Sequence, residues 1–127
     1  NVLLYWLKMV VDGFRFDVAS LLDQKYLEEM RKKLIKENPD IILISESVHG
    51  HFCKYIRDLG FACLSESQLF EIFDMAYDYD VHPYLEGFLK GTNTLNRYLE
   101  SLHLQEEIYP EETSVYIESF SFYLYFL

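Results

Sequence analysis

The sequence contains few cysteines, glycines and prolines. Its two cysteines, Cys53 and Cys63, are too few for a disulfide-built scaffold. We predict two reduced, partly buried thiols, and a disulfide between them is the alternative. Only five glycines and three prolines occur among 127 residues, and the sequence shows no flexible linker and no internal repeat.

Positive charge is also scarce. Eleven Lys and Arg face 21 Asp and Glu, which gives a formal net charge of -10. This balance argues against nucleic acid and against anionic membrane surfaces as partners, and it is compatible with a neutral ligand such as a sugar. The apolar stretch over residues 115–127 contains Glu118 and is too short for a membrane span.

The residues that are abundant are apolar. Half of the sequence is hydrophobic and 17% is aromatic, which is typical of a globular, core-forming chain. The chain begins with Asn1, within what reads as the last turns of a helix, so we interpret it as a fragment or a processed piece. We predict a cytoplasmic location.

Hydrophobic periodicity predicts helices that alternate with strands. The predicted helices cover residues 1–10, 21–37, 51–59, 83–90 and 94–104. The predicted strands cover residues 10–17 and 41–45, with a further strand within 69–79. Asp23 is the expected N-cap of the second helix. The order predicts an α/β fold with a parallel sheet.

The helix faces follow from the same spacing. In the first helix, Leu3, Leu4, Leu7 and Val10 are expected to share a face. In the second helix the expected apolar stripe is Leu27, Met30 and Leu34. In the third helix the residues expected to point inward are Phe52, Tyr55, Ile56 and Leu59.

The first strand carries charged residues on one face. Side chains alternate across a strand, so Val11, Gly13, Arg15 and Asp17 share a face, opposite Phe14 and Phe16. The phenylalanine face suits burial under helices. The other face ends in a cation and a carboxylate at the C-terminal end of the strand, where parallel α/β folds place their chemistry.

The second strand, residues 41–45, is apolar on both faces, as buried parallel strands are. Alternation places Ile42, Ile44 and Glu46 on one face. A glutamate that ends so apolar a strand is costly unless it has a partner or a function.

Asp17 and Glu46 are separated by 46 − 17 = 29 residues, the length of one strand-helix-strand unit. A parallel crossover brings both strand ends to the same edge of the sheet. Retaining glycosidases require two carboxylates about 5–5.5 Å apart. Arg15 should favour the ionised Asp17 that a nucleophile requires, and apolar surroundings should favour the protonated Glu46 that an acid requires. The structural alternative is an Arg15–Asp17 pair that closes a sheet edge, with Glu46 as a capping acid.

The stretch Asp12-Gly13-Phe14-Arg15-Phe16-Asp17 resembles the second conserved region of the α-amylase superfamily, glycoside hydrolase family 13. The resemblance implies that Asp17 is the nucleophile, that Arg15 is the invariant arginine, and that Glu46, in Ile44-Ser45-Glu46-Ser47, is the acid/base. It extends from the helix around Trp6 to the segment over residues 73–83, which looks like the sixth strand. The implied fold is a partial (β/α)8 TIM barrel, roughly strands four to six with their helices.

The sequence departs from the family pattern in two places. Members that bind α-glucans beyond the cleavage point often have Lys-His three and four residues after the nucleophile, where this chain has Ser20 and Leu21. The family's Glu-Asn-His-Asp on strand seven finds no match, because the third carboxylate and the histidine would fall on Ser121 and Phe120. We therefore predict a catalytic-barrel piece over residues 1–110 and a divergent, possibly frameshifted or truncated tail over residues 111–127.

Weaker patterns lie near the same sheet edge. His49 and His51 lack further ligands at metal-site spacing, so we predict a substrate-side loop and no metal. Asp78, Asp80 and His82 alternate on one face of an extended segment and are too few for calcium. We expect them, with His49, to line a sugar-contacting rim.

Two functions compete. The first is a retaining glycoside hydrolase or transglycosylase that acts on α-glucosidic bonds of starch-derived oligosaccharides, needs no cofactor, and is inactive as an isolated fragment. The second is a non-catalytic, amylase-like carbohydrate-binding or scaffolding remnant. The intact Arg15, Asp17 and Glu46 favour the first.

Overall fold

The computed structural model describes residues 2–77, 79 and 81–108. Along the chain lie α1 (Val2–Leu7), β1 (Gly13–Phe16), a 3-10 turn (Ala19–Leu21), α2 (Gln24–Glu37), β2 (Ile42–Ser45), α3 (Gly50–Asp58), α4 (Glu66–Phe70), β3 (Met75–Ala76), α5 (His82–Leu89) and α6 (Leu95–Ile108). The predicted domain boundary at residue 110 and the divergent tail lie outside the described residues.

The three strands form a parallel sheet in the order β1-β2-β3, which confirms the α/β class. Gly13 is opposite Ile42 and Phe16 is opposite Ser45, so the two strands end level with each other. Gly13 is required by this packing, because a Cβ atom there would lie 2.2 Å from the carbonyl oxygen of Ile42.

Helix α2 covers one face of the sheet as its sequence predicts. Leu27, Met30 and Leu34 are buried, and they pack in one cluster with Leu43 of β2 and Phe73. Asp23 caps the helix, since its side chain accepts a hydrogen bond of 2.7 Å from the backbone N–H of Tyr26. Phe14 and Phe16 of β1 are partly buried against the same core.

The opposite face of the sheet is more open among the described residues. Ile42 and Arg15 are exposed and Ile44 is half-buried, whereas Leu43 and Ser45 on the other face of β2 are buried. The double-sided apolar character of β2 is therefore matched by a helix layer on one side only within this part of the chain.

Helix α3 corrects a predicted face. Phe52, Tyr55 and Leu59 were expected to point inward, but they are exposed, and Cys53 is the buried residue of the helix. The reason is a local polar attachment: the thiol of Cys53 lies 3.4 Å from the carbonyl oxygen of Cys63, which also accepts two hydrogen bonds from Arg57. Both cysteines are free, and they are buried where the sequence predicted partly buried thiols.

One further prediction was wrong in detail. Val10 does not continue the apolar face of α1, because it is exposed and has a left-handed backbone with a φ of 67°. The segment over residues 69–79 contains a strand, as predicted, and this strand has two residues, Met75–Ala76. The first residues of the same segment belong to α4, which a Ser65/Gln68 capping box starts.

None of the helices in the described part of the chain combines the length and apolar character that a membrane span requires.

Candidate active site

The end of β1 places Arg15 and Asp17 side by side. Alternation along the strand puts both on the same face, and the Nη1 atom of Arg15 donates a hydrogen bond to Oδ1 of Asp17. Side-chain exposure is 39% for Arg15 and 79% for Asp17. The carboxylate of Asp17 is therefore held by the arginine and is open to solvent.

The end of β2 brings Glu46 to the same guanidinium. Nη2 of Arg15 lies 3.0 Å from Oε2 of Glu46, whose side chain is 21% exposed. The backbone fixes this approach, because the N–H of Glu46 donates to the carbonyl of Phe16 at 2.9 Å. The three residues that the sequence singled out thus meet as one group, with a carboxylate on each side of Arg15.

Glu46 has two more hydrogen-bond partners, which sequence reasoning missed. Its Oε2 accepts a bond of 3.0 Å from the backbone N–H of Val18, and its Oε1 accepts a bond of 3.1 Å from the hydroxyl of Tyr79. The carboxylate is therefore oriented by three polar donors, a guanidinium, an amide and a phenol, where the sequence predicted apolar surroundings.

Val18 reaches Glu46 through an unusual backbone conformation. Its φ of 43° and ψ of 48° are left-handed, a region that a β-branched residue occupies at a penalty of about 1–2 kcal/mol. Backbone strain of this kind persists where surrounding contacts impose it. No sequence pattern indicates it, since Val is among the residues least suited to this region.

Aromatic rings line the group on the β3 side. The guanidinium of Arg15 lies 5.4 Å from the ring centroid of Tyr77, within cation–π range. Tyr77 and Tyr79 are stacked at 6.1 Å, and the ring of His49 lies 5.0 Å from that of Tyr79. The available sequence signal was the position of both tyrosines directly after β3, at the same edge of the sheet.

The surroundings shift two pKa values. Burial acts to lower the pKa of Arg15, but hydrogen bonds to Asp17 and Tyr77 and the charge of Glu46 raise it above its ordinary value. Burial raises the pKa of Tyr79, and the hydrogen bond and charge of Glu46 raise it further. At neutral pH the group therefore contains a fixed cation and a neutral phenol.

The predicted rim residues have different positions. His49 precedes α3 and joins the group through its contact with Tyr79. His82 begins α5, where it interacts electrostatically with Glu86. Asp78 and Asp80 lie outside the described residues. Within the described ranges, no group of three or more His, Cys, Asp and Glu residues could hold a metal ion.

The arrangement contains a carboxylate pair of the kind that glycosidic bond cleavage uses. One exposed carboxylate and one partly buried carboxylate flank a fixed cation at the end of a parallel sheet. A pair of this kind can divide the roles of nucleophile and proton donor.

Comparison with known proteins gives a consistent set of relatives. No protein-family model matches the chain. Neopullulanase 2 from Thermoactinomyces vulgaris is 33% identical over 49 residues, which are 39% of this chain and 8% of that protein. An α-amylase from Lactobacillus plantarum superposes with a TM-score of 0.76 at 37% identity, over 85% of this chain and 26% of that one.

Two other solved structures are similar. The noncanonic maltogenic α-amylase AmyB from Thermotoga neapolitana gives a TM-score of 0.67 at 29% identity, over 91% of this chain and 23% of that one. The cyclic α-maltosyl-(1→6)-maltose hydrolase from Arthrobacter globiformis gives 0.65 at 17% identity, over 88% and 23%, and shows the fold alone. This chain thus spans about a quarter or less of each relative.

Proposed function

Because the chain resembles catalytic domains of the α-amylase superfamily over most of its length, we propose that it is the central part of such a domain. It corresponds to barrel strands four to six of a retaining glycoside hydrolase or transglycosylase. The proposed substrates are α-glucosidic bonds in starch-derived oligosaccharides or maltodextrins.

The observation that carries this proposal is the contact of one guanidinium with both carboxylates. Arg15 pairs with Asp17, which follows β1, and with Glu46, which follows β2. A capping or edge-closing role explains either pair alone. Neither role explains why both carboxylates contact the same guanidinium at an exposed edge of the sheet. Neither role explains why the strained backbone of Val18 points its N–H at Glu46.

In the proposed reaction the roles follow exposure and contacts. Asp17, the more exposed carboxylate, attacks the anomeric carbon as the glycosidic C–O bond breaks. Glu46 gives its proton to the departing oxygen. Glu46 then removes a proton from water, which attacks the same carbon and releases Asp17, so the configuration is retained. Arg15 orients Asp17 through its hydrogen bond.

The isolated chain is proposed to be inactive. A whole barrel needs about 250 residues, and this chain has 127. The face of the sheet that carries Arg15 and Ile42 is exposed, as expected where partner strands would close a barrel. The third carboxylate of the family pattern would fall in the tail, at Ser121.

The deciding experiment compares two polypeptides. One is residues 1–127, and the other, the complete protein, joins residues 1–110 to the coding sequence that adjoins them in the source DNA, read in the frame that restores the family pattern. Reading that DNA across residue 110 is expected to reveal a shifted frame that restores Glu-Asn-His-Asp. The complete protein should hydrolyse maltooligosaccharides, and residues 1–127 alone should not.

Two substitutions assign the activity to the site. Glu46→Gln should lower kcat by about 10²–10⁴-fold, the range of general acid–base catalysis, and Asp17→Asn should lower it at least as much. Asp58→Asn, which alters an exposed pair with Lys54, is the matched control. Two results would instead favour the non-catalytic, amylase-like remnant. One is an unshifted reading frame that ends at Leu127, and the other is a complete protein that folds but does not hydrolyse the substrate.

The compartment is also a proposal. Cys53 and Cys63 are free and buried, and burial and Cys53 raise the pKa of Cys63 to about 11, so the thiol is protonated and unreactive. Two free, buried cysteines are typical of a reducing compartment and support the proposed cytoplasmic location.

A further inference from the structure

We propose that Tyr79 is a positioning residue for the acid/base: its hydroxyl holds the proton-bearing oxygen of Glu46 in both protonation states. The inference rests on the proposed function, in which Glu46 donates and then accepts a proton. Tyr79 acts through Glu46 and is assigned no contact with the substrate.

The two oxygens of Glu46 have different partners. Oε2 lies 3.0 Å from the guanidinium of Arg15 and 3.0 Å from the backbone N–H of Val18. Both partners are donors, so a proton on Oε2 would face two other hydrogens. Oε1 lies 3.1 Å from the hydroxyl of Tyr79. The proton of the acid form therefore belongs on Oε1.

A phenol suits this oxygen because a hydroxyl can both donate and accept. When Glu46 is ionised, the hydroxyl of Tyr79 donates to Oε1. When Oε1 carries the proton before transfer, the hydroxyl rotates and leaves a lone pair toward it. Neither Arg15 nor an amide N–H can do this, since both only donate.

The ring of Tyr79 is itself held in place. It stacks on Tyr77 with an interplanar angle of 15°, and the ring of His49 packs against it at 5.0 Å. Tyr77 in turn lies under the guanidinium of Arg15. The hydroxyl of Tyr79 is therefore fixed relative to Arg15 and Glu46. Its raised pKa keeps it protonated at neutral pH.

The test uses Tyr79→Phe in the complete protein with two substrates, which differ in how much their leaving groups need a proton from the acid. Hydrolysis of a maltooligosaccharide needs a proton on the departing oxygen, whereas an α-maltosyl fluoride releases fluoride with little help from an acid. We expect kcat/KM, which reports the bond-breaking step, to fall about 10- to 100-fold on the oligosaccharide, the loss of one hydrogen bond to a charged group. On the fluoride it should change little.

Matched variants separate the possible failures. Tyr55→Phe, at an exposed position on α3, should leave both rates unchanged. An equal loss on both substrates in Tyr79→Phe would overturn the positioning role, because a general structural defect does not distinguish leaving groups. If Glu46→Gln itself fails to favour the fluoride, the proposed acid/base assignment is overturned instead.

A second readout does not depend on turnover. Glu46→Ala removes a hydrogen bond and a negative charge that both raise the pKa of Tyr79, so this pKa should fall toward its ordinary value. Titration of the ¹³C-labelled tyrosine ring measures it, and Tyr79→Phe identifies the resonance by its loss. An unchanged titration in Glu46→Ala would overturn the contact on which the inference depends.

Discussion

Two arginine–carboxylate groups flank the same three-stranded sheet and have different surroundings. Arg31 of α2 pairs with Asp74, just before β3, at 2.7 Å, and it also donates to the carbonyl of Ile72 at 2.6 Å. The second oxygen of Asp74 accepts a bond of 2.8 Å from the N–H of Leu43. Arg15, by contrast, pairs with a carboxylate that is 79% exposed.

The difference distinguishes a structural ion pair from the pair that we propose to be catalytic. Both oxygens of Asp74 contact protein donors, so the group ties α2, β2 and the start of β3 together. The oxygens of Asp17 remain largely open, and this residue follows β1 instead of preceding a strand. In barrel folds the C-terminal strand ends carry chemistry and the opposite ends contribute stability.

The largest predicted effect breaks the comparison at Arg15. Arg15→Met should lower kcat/KM of the complete protein by about 10²–10³-fold, as the loss of a preorganised electrostatic group does. The free energy of unfolding should change by less than about 1 kcal/mol, because Asp17 is exposed and Glu46 keeps its hydrogen bonds from Val18 and Tyr79. Steady-state kinetics and urea denaturation measure the two quantities. A large loss of stability would place Arg15 in the same class as Arg31.

The next effect is at Asp74. An amide offers one acceptor where Arg31 and the N–H of Leu43 require two, so Asp74→Asn should lower the free energy of unfolding by about 1–3 kcal/mol. Activity per folded molecule should not change. Urea denaturation followed by circular dichroism measures the loss, with Asp58→Asn as an exposed control. Full stability in Asp74→Asn would contradict the structural role.

The smallest effect sharpens the comparison through the backbone. Val10 and Val18 both have left-handed conformations, but their N–H groups have different partners: that of Val18 donates to the carboxylate of Glu46, and that of Val10 donates to the carbonyl oxygen of Leu7. Glycine relieves such strain, which stabilises the folded chain, and it adds entropy to the unfolded chain, which offsets part of this gain. Val10→Gly should therefore raise the free energy of unfolding by roughly 0.5–1 kcal/mol without altering kcat. Val18→Gly should lower kcat, because the N–H is no longer fixed. Equal kcat values in both variants would show that the strain at Val18 has no catalytic purpose.

The sequence predicted the parts of the site that depend on short-range rules. Alternation placed Arg15 beside Asp17, and the 29-residue crossover brought Glu46 to them. The cap at Asp23 and the buried stripe of α2 followed from helical spacing. Each of these features is determined by residues within one strand-helix-strand unit.

The missed features depend on contacts between distant segments. Tyr79 meets Glu46 across 33 positions, and Arg31 meets Asp74 across 43. Helix α3 turned its exposed apolar residues away from the predicted side, because Cys53 and Arg57 attach it to Cys63. Val18 has a left-handed backbone, which β-branched residues disfavour. Periodicity within a single element contains no information on such contacts.

The central claim is that Asp17 is the nucleophile, and trapping its covalent intermediate tests it most directly. A maltosyl fluoride with a further ring fluorine should form a glycosyl–enzyme ester that hydrolyses slowly, because the added fluorine disfavours the positive charge of both transition states. We expect peptide mass spectrometry of the complete protein to find one sugar on the peptide that contains Asp17, and none in Asp17→Asn. A sugar on another residue, or turnover with no trapped ester, would contradict the account.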